Sequence, residues 1–129
     1  MSIPVLYLVV PCYNEEEVLA DTADKLERKL RQLMDAGKVG AKSRIAFVND
    51  GSRDRTWELI AACTKRSPLF SGLNLAHNEG HQNALLAGLM TVRVYADVTI
   101  SMDADLQDDI DAIDAMLEKH AAGANIVYG

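Results

Sequence analysis

Apolar residues along this chain come in two alternating rhythms. Short runs rich in Val, Leu, Ile and Tyr, too brief for helices, read as buried strands: Pro4 to Pro11, Ile45 to Val48, Leu69 to Leu75, Val98 to Met102, and Asn125 to Tyr128. Between them apolar positions recur at helical spacing. Val18, Leu19, Thr22, Leu26, Leu30 and Leu33 predict a first helix to about Met34, opened by a capping box of Asn14 and Glu17 and closed near Gly37 and Gly40. A second helix, Asp54 to Arg66, should turn Trp57, Ile60 and Ala61 inward and end before Pro68. A third, about Gln82 to Tyr95, is apolar on most sides through Ala84, Leu85, Leu86, Leu89 and Met90, which predicts deep packing. Ile110, Ile113, Met116 and Leu117 define a fourth, running to about Ala122 before Gly123.

Alternation of strand and helix predicts an α/β fold, a Rossmann-like parallel sheet with helices on both faces. Ligands in such sheets bind beyond the carboxyl ends of the strands, where the strand order switches. Four polar clusters fall at those predicted ends: Pro11-Cys12-Tyr13-Asn14, Asn49-Asp50-Gly51-Ser52, His77-Asn78-Glu79-Gly80-His81 and Asp103-Ala104-Asp105.

The last cluster carries the most chemistry. Asp103 and Asp105, two residues apart, leave the strand end on the same side of an extended backbone. Side by side they repel unless a divalent cation or hydrogen bonds absorb the charge. Carboxylate oxygens suit a hard ion, Mg²⁺ or Mn²⁺, and Gln107 can add a neutral oxygen. The competing reading is an acidic helix N-terminus favoured by the macrodipole. Asp50 can accept the imide N–H of uracil, or the ring N–H and amino group of guanine, or it can cap the turn into the second helix. Tyr13 can lie against a base or pack over the first helix, and Glu15 can accept from a ribose or base or simply occupy a helix start. His81 precedes helix amides able to face phosphate, or caps that helix itself. Cys12 reads as a small buried side chain, with no His paired to it in sequence. Asp108, Asp109, Asp111 and Asp114 read as a solvated helix face. Neither a G-x-G-x-x-G nor a P-loop motif occurs.

Composition narrows the partners. A net charge of −6 over 129 residues supplies no basic field for nucleic acid, so an anionic ligand needs backbone amides, a helix N-terminus or a cation. Cys12 and Cys63 lack metal spacing and are too few for a disulfide framework, which favours a reducing, cytoplasmic setting. The chain begins without a secretory pattern, and its apolar runs are far shorter than a membrane span.

With these residues in view the chain resembles the family 2 glycosyltransferases of GT-A fold, and among them the dolichol- or undecaprenyl-phosphate hexose transferases. The resemblance rests on P-C-Y-N-E at Pro11 to Glu15, V-N-D-G-S-x-D at Val48 to Asp54, N-E-G-H-Q-x-A-L at Asn78 to Leu85 and D-A-D-L-Q-D at Asp103 to Asp108. It implies that Pro11, Tyr13, Glu15, Val48 and Asp50 line a nucleoside pocket, and that Asp103 and Ala104 touch ribose and diphosphate. It further implies that Asp103, Asp105 and Gln107 hold Mg²⁺ or Mn²⁺. Asn49 stands where many relatives carry a first Asp, and Asp109 where a proline is common.

Residues 1–129 would then be one nucleotide-sugar-binding domain, a truncated GT-A half whose relatives continue into an acceptor-facing half and often membrane helices. The implied reaction is metal-dependent, inverting transfer of a hexose from a UDP- or GDP-sugar to a polyprenyl phosphate at the cytoplasmic face of a membrane. This stretch alone would bind nucleotide weakly, turn over little or nothing, and be able to self-associate through surface left uncovered. Transfer to a saccharide hydroxyl, or a non-catalytic nucleotide-binding or interaction domain, is the alternative. A sugar nucleotidyltransferase would resemble G-x-G-x-R where Pro11-Cys12-Tyr13-Asn14 stands, and a receiver module would need an acidic pair there.

Overall fold

A computed structural model describes residues 3–105, 110–121 and 127–128. In chain order the elements are β1 (Leu6–Cys12), α1 (Leu19–Asp35), β2 (Arg44–Asp50), α2 (Thr56–Arg66), β3 (Phe70–Leu75), α3 (His81–Val92), β4 (Val98–Ser101), α4 (Ala112–Ala121) and β5 (Val127–Tyr128). The strands form one sheet in the order β3-β2-β1-β4-β5, with every pair parallel. The Rossmann-like expectation is met.

The order switches at β1. From there the chain winds outward through β2 to β3, then returns across the sheet to pair β4 with the other side of β1. Pairing of β1 with β4 runs from Leu6↔Val98 to Val9↔Ser101, whereas pairing with β2 continues to Cys12↔Asn49. The last three residues of β1 therefore open onto a crevice on the β4 side. The Val9 carbonyl accepts Met102 N–H at 3.0 Å, so Pro11, two residues on, turns its N–H-less nitrogen toward the departing strand. Proline sits at the one side of a central strand where no ladder bond is lost.

Side chains of β1 alternate between the two faces as a strand requires. Leu6, Leu8, Val10 and Cys12 pack with α1 (Leu19, Ala23, Leu26, Leu30, Leu33), α2 (Ile60, Cys63) and α4 (Ile113, Leu117). Val9, with Ala46 and Val48 of β2, packs against Ala84 and Val92 of α3.

Four expectations change. Deep packing of α3 does not occur: it buries only the stripe Ala84, Gly88 and Val92, while Leu86 and Met90 are each 54% exposed. The stripe explains why, since a Cβ on Gly88 would lie 2.7 Å from methyls of Val48 and Val9. A helix seated that close on one sheet face meets it with a single row of small residues. The capping box is also absent. Asn14 adopts φ 52°, α1 starts at Leu19, and its cap residue Val18 makes no side-chain cap bond. In α2 the buried stripe is Thr56, Ile60 and Cys63, with Ala61 only partly covered. Finally, the acidic face of α4 is not merely solvated, because Lys29 of α1, only 7% exposed, pairs with Asp114 at 2.5 Å and Asp111 at 3.3 Å. Asp108 and Asp109 lie outside the described residues.

Candidate functional site

The crevice at the switch is a cavity of about 330 Å³. Its wall is drawn from all four polar clusters: Pro11, Cys12, Tyr13 and Glu15 after β1, Asp50 at the end of β2, Asn78, Gly80 and His81 before α3, and Asp103, Ala104 and Asp105 after β4. Of the residues expected to touch nucleotide, Pro11, Tyr13, Glu15, Asp50, Asp103 and Ala104 line it. Val48 does not. Its side chain is fully buried on the α3 face of the sheet, under Gly88, and can serve the site only through β2 itself. Gln107 lies outside the described residues.

The loops holding this wall are stitched to one another. The segment after β1 donates Asn14 N–H to Ser52 Oγ (2.9 Å), Glu15 N–H to Thr56 Oγ1 (2.8 Å) and Glu16 N–H to Asp54 Oδ2 (3.2 Å). In return Asn14 Oδ1 accepts Arg53 N–H at 2.9 Å. Asn14 thus works as a turn residue, its short polar side chain tolerating positive φ. Asp54 accepts from the Thr56 N–H and hydroxyl. Burial opposes its ionisation, but those bonds and the one from Glu16 outweigh it and hold the carboxyl below its ordinary range.

The Asp50 side is tied to the segment before α3. Asp50 Oδ1 accepts Glu79 N–H at 2.7 Å, and the Asn78 amide donates to the Asp50 carbonyl at 3.2 Å. Gly51 has φ 66°, and a Cβ there would fall 2.4 Å from Asn78 N. Only glycine allows that turn and that approach. Asn49 also finds its role: its amide donates to Asn74 Oδ1 at 2.8 Å while its Oδ1 accepts Ser52 N–H at 3.3 Å. That tie joins the ends of β2 and β3 and needs a donor that a carboxylate lacks.

Electrostatically the cavity is acidic. Glu15 has its pKa raised, first by burial and then by the charges of Asp105, Asp54 and Asp103. His81 Nε2 stands 3.9 Å from Asp103 Oδ1, both side chains half exposed, a pair that solvent largely screens. Gly80, with φ 91°, caps α3 without a side-chain bond, and Gly80 and His81 bring the start of that helix, the positive end of its dipole, to the cavity wall. Cys12 is buried; burial and then Glu15 push its thiol far above the ordinary range, and Sγ donates to the Val10 carbonyl at 3.3 Å. That thiol is no nucleophile.

Among the described residues no group of three or more His, Cys, Asp or Glu side chains is placed to hold a metal ion. Two carboxylates on one short loop, at the wall of a cavity that also takes in the start of α3, nevertheless fit the hard ions that take one or two protein carboxylates and complete their shell with water and substrate phosphate. Asn78 and Asp54 fell within motifs of the sequence without a role of their own, and Thr56 was missed. Asn78 acts through the Asp50 carbonyl, Thr56 through the Glu15 N–H and Asp54 through the Glu16 N–H and Thr56, contacts between distant segments that leave no local periodic trace. No helix among the described residues is long and apolar enough to cross a membrane.

Comparison with known proteins gives the family. A Bacillus subtilis protein named uncharacterized glycosyltransferase YkoT is 49% identical over 99% of this chain, which covers 38% of that protein. A bactoprenol glucosyl transferase of Shigella phage SfV is 38% identical over 93% of the chain and 36% of its own length. An undecaprenyl-phosphate 4-deoxy-4-formamido-L-arabinose transferase of Pseudomonas paraeruginosa is 35% identical over 97% of the chain and 35% of its own length. The chain therefore spans little more than a third of the curated relatives it matches. Residues 7–129 match the model of Glycosyl transferase family 2, and the chain belongs to that family.

Proposed function

We propose that this chain forms the donor half of a hexosyltransferase that moves a hexose from a nucleoside diphosphate to a polyprenyl phosphate. The observation that carries the reading is the meeting of four sequence-distant clusters in one cavity at the sheet's switch point, with Asp103 and Asp105 on its wall. Two similar proteins, named for bactoprenol and undecaprenyl phosphate, support the acceptor class.

In this reading Asp50 accepts the base's ring N–H with the carboxylate oxygen that the Glu79 N–H leaves open. Tyr13, 43% exposed beside it, offers its ring face to the base, and Glu15 accepts from the ribose. The diphosphate lies between the amides at the start of α3 and the loop of Asp103, Ala104 and Asp105. Asp103 and Asp105, with Gln107, would hold Mg²⁺ or Mn²⁺, which when bound neutralises the charge developing on the departing nucleoside diphosphate. His81, at the same wall, adds positive charge when protonated. A lipid phosphate attacks as an anion and needs no general base, so the chain need supply only donor binding and leaving-group stabilisation on this side. Inversion follows from a single in-line displacement at the anomeric carbon. We place the intact protein at the cytoplasmic face of a membrane, and expect the chain alone to bind donor with little turnover.

The test is transfer of radiolabelled hexose from UDP- or GDP-hexose to undecaprenyl phosphate by the intact protein in detergent. A lipid-soluble product lost in Asp105→Ala is expected. Product on a saccharide hydroxyl, or an Asp105→Ala variant as active as the parent, contradicts the reading.

A further inference from the structure

We infer that Thr22 of α1 is a positioning residue for the acidic loop, setting the direction in which Asp103 and Asp105 present their carboxylates; this rests on the proposed function. Thr22 is 2% exposed, and its hydroxyl donates to the carbonyl of Ala104, the residue between the two aspartates, 82 positions away. Ala104 is itself 3% exposed, so no water can replace the hydroxyl at that carbonyl without opening the core. That carbonyl belongs to the planar peptide joining Ala104 to Asp105, so fixing it leaves one backbone dihedral before the Asp105 Cβ and three before the Asp103 Cβ; Asp105 is held directly and Asp103 through the backbone of Ala104.

The far side of the same loop is held from the same helix. Lys29 lies seven residues after Thr22, two helical turns along one face, and pairs with Asp111 and Asp114 at the start of α4. Helix α1 is thus a post gripping the chain within the segment that carries the carboxylates, at Ala104, and again after it, at Asp111 and Asp114. Threonine at position 22 fits no helix preference, being β-branched and polar in a stripe that, Lys29 apart, is made of Leu and Ala. A purely structural stripe would carry an apolar residue there; the hydroxyl is explained by the carbonyl it meets.

Calorimetric titration of the chain with UDP and GDP in Mn²⁺ tests this, on the parent, Thr22→Val and Thr22→Ser, each checked for folding by thermal melting. Val keeps the shape and removes the donor, whereas Ser keeps the donor. The expected result is roughly tenfold weaker Mn²⁺-dependent nucleotide binding in Thr22→Val, with Thr22→Ser within about twofold of the parent. Parent-like binding by Thr22→Val overturns the inference, as does equal weakening in Ser and Val. A parent that binds neither nucleotide refutes the proposed function and this inference with it. A parent that binds while Thr22→Val is unaffected refutes this inference alone. If Thr22→Val does not fold, the parent decides: a slowly exchanging Thr22 hydroxyl proton in its NMR spectrum supports the contact, and its absence overturns it.

Discussion

Replacing Gly51 by alanine should damage the fold more than replacing Gly37, although both glycines sit at similar positive φ, 66° and 72°. At either position a Cβ meets its own backbone, which costs about 1–2 kcal/mol in the left-handed region. At Gly37 nothing lies within 4 Å of the added carbon, so that cost is the whole effect. At Gly51 the carbon would also fall 2.4 Å from Asn78 N and 2.6 Å from the His77 carbonyl carbon, backbone that cannot rotate away. Overpacking of this kind adds about 1–3 kcal/mol, giving roughly 2–5 kcal/mol in all. That is a large part of a stability expected near 5–15 kcal/mol. Relief can come only by parting the end of β2 from the segment before α3, which breaks the Asp50 to Glu79 bond and widens the cavity wall. Urea denaturation of both variants gives the stabilities, and nucleotide titration of Gly51→Ala gives the site effect. Equal losses for Gly37→Ala and Gly51→Ala would refute the close approach.

Other expectations follow from the charges and the exposed helix. Asp54 is held below its ordinary pKa, so its contribution is present above about pH 4 and lost as pH falls through its folded value; Asp54→Asn should flatten that acid limb of the stability curve measured by urea melts. Glu15 is raised instead, so its ionised form destabilises; Glu15→Gln should stabilise the free protein at pH 7, with the gain vanishing below the ordinary Glu pKa of about 4.3. For the Lys29 and Asp114 pair, lysine is the buried partner, so Asp114→Ala should cost more than Lys29→Met, by about 1 kcal/mol or more in the same melts. Changing Leu86 and Met90 together to Lys should leave stability within about 0.5 kcal/mol and reduce any self-association seen by light scattering, since both already face outward.

Much of the fold was legible because strand and helix rhythms alternate cleanly and each strand run is short and bounded. The site was legible at the level of clusters: a rule about the carboxyl ends of parallel strands gathered Tyr13, Asp50, His81 and Asp103 before any coordinate did. What sequence could not reveal depended on partners far along the chain. Asn14 followed by Glu17 has the form of a capping box, yet Ser52 and Arg53 claim the Asn14 backbone and side chain and delay α1 by a turn. The apolar count of α3 reports composition, whereas its burial depends on how closely Gly88 lets it approach the sheet. Val48 shares a motif with Asp50, but period-two alternation over that distance puts both on one parity, and the β2 end turns only Asp50 into the cavity.

The most direct test of the central claim separates the two ends of the site. Calorimetric titration with UDP and GDP, with and without Mn²⁺, should show binding of one nucleotide that depends on the ion. Asp105→Ala should abolish the ion dependence, and Asp50→Ala should erase the preference between the two bases while leaving the ion dependence in place. Ion-independent binding, or two variants that alter the same property equally, would contradict a single donor site spanning the cavity from Asp50 to Asp105.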